Sequence, residues 1–198
     1  MREKTTRDHI VKAADQLFYQ QGFEHTSFAD IAGVVQISRG NFYYHFKSKD
    51  EILDAVINVR LADRQVMLKQ WEVEGETPLD RIYSFIHILI KNQEKIIKFG
   101  CPIGTLSTEL SKLNHASQND ANKLFTLFRT WLCRQFTLLG RETDADDLAM
   151  HLLARSQGVA TLATAFRDGE FIKIEAQLMC DWVKSQAVET TAARRSIH

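Results

Sequence analysis

The most distinctive chemistry in the sequence is a cluster of cationic and hydrogen-bonding side chains between residues 38 and 49. Its members are Arg39, Tyr43, Tyr44, His45, Lys47 and Lys49, and the segment contains no Asp or Glu. Hydroxyl, imidazole and ammonium groups donate hydrogen bonds to phosphates, and an arginine can bind the edge of a guanine through two hydrogen bonds. This combination predicts a surface that contacts the backbone and bases of double-stranded DNA.

Three short helices are expected to position these side chains. Thr5 and Asp8 have capping-box-like spacing, and Gly22 is placed to end the first helix where a positive φ costs least. Ser27 and Asp30 can cap a second helix in the same way. Thr26 or Ser27, at that helix N-terminus, can donate to a phosphate.

The third helix is predicted from Arg39 to Phe46, with Ser38 as its N-cap and Gln36-Ile37 as the preceding turn. Two short helices joined by a tight turn are typical of a helix-turn-helix, which places its second helix in the major groove. Gly40 has no side chain, so the backbone there can approach phosphates or bases closely.

The aromatic residues of the third helix could instead form an ordinary core. That interpretation suits Phe42 and Phe46. It fails for Tyr43, Tyr44 and His45, because these three side chains cannot all be buried on one side of the same helix.

The segment also resembles the N-terminal signature of the tetracycline-repressor (TetR) family. The resemblance rests on Gly22-Phe23, Thr26, Asp30-Ile31-Ala32 and the continuous run Ile37 to Lys49 (ISRGNFYYHFKSK). It implies a homodimeric regulator, with a three-helix DNA-binding head and a helical ligand-binding body. The family's DNA-contact positions correspond here to Thr26, Ser27, Ser38, Arg39, Gly40, Asn41, Tyr43, Tyr44, His45 and Lys49.

The remainder of the chain predicts an all-α fold of about nine helices. One of them is expected to start with Thr77 as its N-cap and Pro78 at its first position, and to end at Gly100 before Pro102. Only 2 prolines and 9 glycines interrupt 198 residues, and no segment has the alternation of a strand. We expect the head at 1–50, a ligand-binding and dimerisation body at 51–188 and a flexible tail at 189–198. The fourth helix is expected to be the only continuous element that joins head to body.

The body is expected to bind a small, apolar or aromatic effector that releases a palindromic operator. Candidate ligand-binding residues are Phe85, Leu89, Cys101, Phe128, Trp131 and Arg155. Ordinary core packing explains the aromatic residues nearly as well. Repression is the family's usual mode, although the sequence does not distinguish a repressor from an activator.

Cys101 allows a second hypothesis, a repressor that senses oxidants or electrophiles. Backbone amides at a helix N-terminus lower the pKa of a thiol and favour the reactive thiolate. The alternative is that Cys101 is a small buried residue in a tight turn, as cysteines outside disulfides usually are.

Dimerisation is expected through the last two long helices, about Thr143 to Phe166 and Phe171 to Gln186. One head covers few base pairs, whereas two heads related by a two-fold axis bind a palindromic site. The residues predicted for this interface are Leu152, Val159, Leu162, Phe166, Leu178 and Trp182.

Composition argues against several other classes of protein. The formal net charge is zero, so the distribution of charge matters more than its sum. The absence of a long apolar run and of a signal-peptide pattern favours a cytoplasmic protein with no membrane segment. Three widely spaced cysteines predict no structural metal site, and the sequence lacks common catalytic and cofactor motifs, so neither an enzyme nor a cofactor is expected.

Overall fold

A computed structural model describes residues 5–195, with the side chains of residues 5–187. Within that range the chain forms ten helices and no strand, which confirms the all-α prediction. The helices are α1 (Thr6–Gln21), α2 (Phe28–Val35), α3 (Arg39–His45), α4 (Lys49–Glu74), α5 (Pro78–Lys91), α6 (Gln93–Phe99), α7 (Pro102–Lys112), α8 (Gln118–Leu138), α9 (Ala145–Phe166) and α10 (Gly169–Arg195).

The additional helix arises at Asn92, where the single helix predicted between Pro78 and Gly100 is interrupted. The side-chain amide of Asn92 donates to the carbonyl of Ile88 at 2.8 Å. Asparagine competes in this way with the helical backbone for its own hydrogen bonds. The helix therefore ends as α5, and α6 begins at Gln93.

The last helix is longer than predicted. It was expected to end near Gln186, but α10 continues to Arg195, and residues 187–195 contain no glycine or proline to stop it. The expected tail at 189–198 therefore overlaps α10 as far as Arg195. Residues 196–198 lie outside the described residues.

The chain divides into two compact units. The first contains the residues up to Asp63 together with Pro102–Leu124, and the second contains Arg64–Cys101 with the residues from Phe125 onwards. The first unit thus extends beyond the predicted head at 1–50 because it includes α7. Both α4 and α8 have residues in each of these units. The head at 1–50, the body at 51–188 and the fourth helix as the link between them stay predictions.

In the first unit, α7 is tied to α1 and to the first half of α4. Arg60 of α4 donates to Asp15 of α1 at 2.6 Å and to the carbonyl of Pro102 at 2.7 Å. The unit's core forms from the apolar faces of these helices; its largest fully buried side chains include Ile10, Ile31, Phe42, Phe46, Ile52, Leu53 and Leu110.

In the second unit, α10 packs against α5 and α9, and α6 packs against α9. Thr164 of α9 donates to the carbonyl of Ile96 of α6 at 2.7 Å. None of the helices within residues 5–195 has a stretch both long and apolar enough to cross a bilayer.

Candidate nucleic-acid interface and effector-site residues

The second helix begins with the predicted cap. Asp30 accepts hydrogen bonds from the hydroxyl of Ser27 at 2.7 Å and from its amide at 2.8 Å, while the Ser27 hydroxyl accepts from the Asp30 amide at 3.2 Å. These bonds hold the pKa of Asp30 below its usual range. Ser27 is exposed. Of the two residues predicted for this helix N-terminus, Thr26 and Ser27, it is therefore Ser27 that solvent can reach.

The turn between α2 and α3 is tight. Gln36 adopts a left-handed conformation with φ of 58°, and the amide of Ile37 donates to the carbonyl of Ala32 at 3.2 Å. Ser38 then caps α3, because its hydroxyl accepts from the amide of Asn41 at 3.3 Å. The two helices and their turn form the predicted helix-turn-helix.

The third helix has an apolar inner face and a polar outer face. Phe42 and Phe46 are each 1% exposed, and Phe42 lies 5.0 Å from the ring of Phe28 between centroids. In contrast, Tyr44 is 79% exposed and Tyr43 is 46% exposed. The prediction that the phenylalanines form the core and the tyrosines face outwards is confirmed.

Further polar groups share the outer face of α3. Ser38, Arg39, Gly40 and Asn41 are exposed, and His45 is half-buried with its ring 5.1 Å from that of Tyr44. The face presents hydroxyl, guanidinium, amide and imidazole groups without a carboxylate between residues 38 and 49. Such a set can donate to phosphates and to the base edges of a major groove.

Gly40 is unexplained by the chain's own packing. A Cβ placed on it would meet no described atom within 4 Å, and its φ is not in the left-handed region. A helical glycine costs about 1 kcal/mol relative to alanine. The space beside Gly40 therefore suits a close approach by an external molecule.

Thr26 does not lie in the predicted position. Its side chain is 1% exposed, and its hydroxyl donates to the carbonyl of Gly22 at 2.6 Å and accepts from Gln21 at 3.3 Å. This corrects the expectation that Thr26 offers its hydroxyl to a phosphate. Its hydroxyl instead satisfies a carbonyl in the turn after α1.

Lys49 is also engaged within the chain. Its ammonium donates to the carbonyls of Phe23 at 2.9 Å and Glu24 at 3.2 Å and lies 4.3 Å from the centre of the Phe23 ring. In this conformation its charge stabilises the turn after α1, and its assignment as a phosphate contact stays a prediction. Lys47 is the exposed lysine of the segment, and its ammonium donates to the carbonyl of Tyr43.

The aromatic candidates for an effector site lie in the second unit. Phe85, Leu89, Phe128 and Trp131 are all buried. The Phe85 and Phe128 rings are 5.6 Å apart, and the Trp131 ring is 5.7 Å from that of Trp71. These contacts bring residues of α4, α5 and α8 together around an aromatic interior.

Arg155 and Cys101 differ from the other four candidates. Arg155 donates to Glu175 of α10 at 2.9 Å and at 3.3 Å, so its guanidinium joins α9 to α10, and its assignment as a ligand group stays a prediction. Cys101 is half-buried immediately before α7, and no disulfide is formed by any of the three cysteines. Its role as a sensor remains a prediction.

The dimer candidates fall into three groups by exposure. Leu162, Phe166 and Leu178 are exposed, whereas Leu152 and Val159 are buried in the second unit, which corrects their assignment to an interface. Trp182 is half-buried, with its ring 6.2 Å from Phe136 and 4.6 Å from His151. The exposed apolar residues that the prediction missed on α9 and α10 are Met150 and Ile174.

The prediction also missed Gln135, a fully buried glutamine of α8. It continues the apolar spacing of Phe128, Trp131 and Leu132. A glutamine at a position where the period requires an apolar residue was the available signal. No cluster of three or more His, Cys, Asp or Glu side chains suited to a metal ion occurs in the part of the chain that the structure describes.

Two family models match the chain. The model for bacterial regulatory proteins of the TetR family matches residues 10–56. The model described as the C-terminal domain of LmrA/YxaF-like transcriptional regulators matches residues 78–177. The first match covers the helix-turn-helix, and the second covers half of the chain.

Relatives and solved structures agree with these models. The chain is 33% identical over 125 residues to an uncharacterized HTH-type transcriptional regulator of Lactococcus lactis, a match that covers 62% of this chain and 64% of that relative. It is 28% identical over 159 residues to the HTH-type transcriptional repressor DhaR of Mycobacterium sp., which covers 78% and 77% respectively. A crystal structure of a TetR transcriptional regulator from Legionella pneumophila superposes with a TM-score of 0.78 at 25% identity, over 90% of this chain and 97% of that one. On these matches and on its helix-turn-helix, the chain belongs to the TetR family of transcriptional regulators.

Proposed function

We propose that the protein is a ligand-responsive repressor that binds a palindromic DNA operator as a homodimer. The observation that carries this proposal is the outer face of α3, which exposes an acid-free set of hydrogen-bonding side chains while Phe42 and Phe46 anchor the helix from within. In this proposal α3 enters the major groove, and the head is residues 1–50 with the body at 51–188.

The exposed residues of the helix-turn-helix take different roles in binding. The hydroxyls of Ser38, Tyr43 and Tyr44 donate to phosphates, together with His45, and fix the position of the helix on the duplex. The Ser27 hydroxyl already donates to Asp30. Arg39 and Asn41 reach base edges and supply sequence preference. Gly40 allows the backbone of α3 to approach the DNA, which explains a glycine that nothing in the chain's own packing requires.

The homodimer is formed by the outward faces of α9 and α10. Met150, Leu162, Phe166, Ile174 and Leu178 are exposed large apolar residues on these two helices. Gly158 lies among them on α9, and a Cβ there would meet no described atom within 4 Å. An apolar face with a glycine at its centre permits close packing against the same two helices of a second copy.

The effector binds in the second unit among Phe85, Leu89, Phe128 and Trp131. These buried aromatic and aliphatic side chains suit an apolar or aromatic molecule. Release of DNA requires that the effector bind two conformations of the dimer with different affinity. A coupling of about 1–3 kcal/mol would weaken operator binding about 5–150-fold. Repression is supported by the name of the mycobacterial relative, a transcriptional repressor.

The proposal is tested by fluorescence anisotropy with a labelled duplex from the DNA upstream of the protein's own gene. Tyr44→Ala should weaken binding to specific and unrelated duplexes alike, whereas Arg39→Ala should reduce the preference for the specific duplex. The control is Lys69→Ala, which changes an exposed lysine of α4. It should leave the affinity for the specific duplex and for the unrelated duplex unchanged. Tyr44→Ala and Arg39→Ala variants that bind both duplexes like the wild type would refute the proposed interface.

A further inference from the structure

Gln135 is a buried amide without a hydrogen-bond partner in the described part of the chain. The residue is 0% exposed, and neither its Oε1 nor its Nε2 contacts a donor or an acceptor there. Buried polar side chains are almost always paired, because an unpaired one loses its bonds to water and gains nothing in return. Gln135 therefore has two donor hydrogens and a carbonyl oxygen available to another molecule.

The position of Gln135 on α8 places it beside aromatic side chains. Trp131 and Leu132 precede it by one helical turn, and Phe128 precedes it by two turns, all on the buried stripe of the helix. Trp131 contacts Trp71, and Phe128 contacts Phe85. Helical spacing therefore places the orphan amide on the same buried stripe of α8 as the candidate effector residues Phe128 and Trp131.

The polar groups one turn away are already occupied by one another. The indole N–H of Trp131 donates to Glu72 Oε1 at 3.0 Å, and Arg134 donates to the same oxygen at 3.3 Å. Glu72 Oε1 therefore accepts two hydrogen bonds. The indole N–H, which is the only donor of the Trp131 side chain, is used in one of them. These bonds leave the amide of Gln135 as the unpaired polar group of the stripe.

We infer that Gln135 is the polar anchor of the effector site, and that it selects uncharged aromatic molecules bearing a lactam or a primary carboxamide. Such a group has an N–H and a C=O side by side. The N–H donates to Gln135 Oε1, and the C=O accepts from Gln135 Nε2, so one pair of bonds satisfies both orphan atoms. This inference rests on the proposed effector site in the second unit.

The burial and neutrality of the Gln135 amide argue against an ionised group or a hydrocarbon as its ligand. An ionised carboxylate or amine at a fully buried neutral amide would lose its hydration without gaining a counterion. A hydrocarbon would fit the aromatic neighbours but leave Oε1 and Nε2 unpaired. A flat, neutral ring system with an adjacent donor and acceptor suits both the aromatic neighbours and the unpaired Oε1 and Nε2 of Gln135.

The experiment compares two bicyclic compounds of similar shape, the lactam 2-quinolinone and the hydrocarbon naphthalene. Each is titrated to its solubility limit by calorimetry and by tryptophan fluorescence, against the full-length wild type and Gln135→Met. Methionine has similar length but cannot form the pair of bonds. We expect the ratio of lactam to hydrocarbon affinity to fall at least about tenfold in Gln135→Met, because two neutral hydrogen bonds are lost.

Two controls distinguish anchoring from a structural role. Gln177→Met changes an exposed glutamine of α10 and should leave the affinity ratio at the wild-type value. Without ligand, Gln135→Met should raise the melting temperature, because it removes an unpaired buried amide. A lower melting temperature would show that Gln135 supports the fold through bonds of its own and would overturn the inference.

Operator binding, measured on the same preparations, separates this inference from the proposed function. An unchanged affinity ratio in Gln135→Met, or a wild type that binds neither compound, overturns the role of Gln135 even if the operator is bound. Conversely, a ratio that falls as expected in a protein that binds no operator supports the anchor and contradicts the proposed function.

Discussion

The carboxylate of Glu109 on α7 accepts a hydrogen bond from the backbone amide of Phe23 at 2.9 Å. Its other oxygen accepts from the amide of Glu24, also at 2.9 Å. The ammonium of Lys49 binds the carbonyls of the same two residues. The turn after α1 is therefore held by an anion at its N–H groups and by a cation at its C=O groups, within the first unit.

Replacing Glu109 with Gln should destabilise the first unit. An amide has one acceptor oxygen, so one of the two backbone N–H groups would face an NH₂ group instead. We expect the free energy of unfolding to fall by about 1.5–3 kcal/mol, the range for hydrogen bonds to a charged group, as measured by urea denaturation. Glu142→Gln, at an exposed glutamate, serves as the control. Equal losses in the two variants would contradict a specific role for Glu109.

Two glycine substitutions should change stability in opposite directions. Gly22 has a φ of +92°, and a Cβ there would lie 2.9 Å from Glu109 Oε1, so Gly22→Ala should destabilise by at least about 1 kcal/mol. Gly33 lies in α2 with open space around it, so Gly33→Ala should stabilise by up to about 1 kcal/mol. Both are measured by thermal and urea unfolding without DNA. Stabilisation by Gly22→Ala would disprove the strained turn.

The two lysines that follow α3 should affect DNA binding differently. Lys47 is exposed, and Lys47→Ala should reduce the magnitude of the negative slope of log K against log salt by about 2, because the proposed homodimer loses one phosphate contact, worth about 0.9, from each of its two heads. Lys49→Ala should leave that slope unchanged and reduce stability, because its ammonium binds the turn after α1. Anisotropy titrations at several salt concentrations give the slopes. A reduced slope for Lys49→Ala would identify Lys49 as a phosphate contact.

A charge on the outward face of α10 should disrupt the proposed dimer. Leu178 is 46% exposed, so Leu178→Glu should fold normally and sediment as a monomer at micromolar concentration, because burying an unpaired carboxylate in an interface is costly. Leu138→Glu, at an exposed leucine of α8, should remain dimeric. A wild type that sediments as a monomer, or a Leu178→Glu variant that remains dimeric, would refute this interface.

The link between Arg129 and Asp146 should make stability depend on pH in the acid range. Arg129 donates to both oxygens of Asp146, and these hydrogen bonds hold the pKa of Asp146 below its usual value of 3.8. A lowered folded-state pKa stabilises the protein above the unfolded-state pKa, and this contribution is lost as pH falls through the folded-state value.

Asp146→Asn should therefore lower the melting temperature at neutral pH, and its difference from the wild type should narrow below about pH 4. Asp147→Asn is the matched control, because Asp147 is also exposed in the first turn of α9 and its loss removes the same charge near the helix N-terminus. A difference for Asp146→Asn that stays constant down to pH 2 would show that the ion pair does not titrate as described.

Local features of the fold could be predicted from the sequence because their partners lie within one helical turn. Thr5 with Asp8, Ser27 with Asp30 and Thr77 with Asp80 form capping boxes at the expected helix starts. The division of α3 into buried phenylalanines and exposed tyrosines also followed from helical periodicity. With these patterns, the sequence alone determined the all-α class, the helix-turn-helix and the resemblance to the family.

The partners of several side chains were decided only by the tertiary structure. Lys49 binds carbonyls at a separation of 25 and 26 residues, and Glu109 binds amides at 85 and 86. Helical periodicity shows which residues share a face but not which element covers that face. For that reason Leu152 and Val159 were assigned to an interface although the second unit buries them. Gln135 is recognisable as an orphan amide only once its neighbours are known, because an unpaired group is defined by what surrounds it in space.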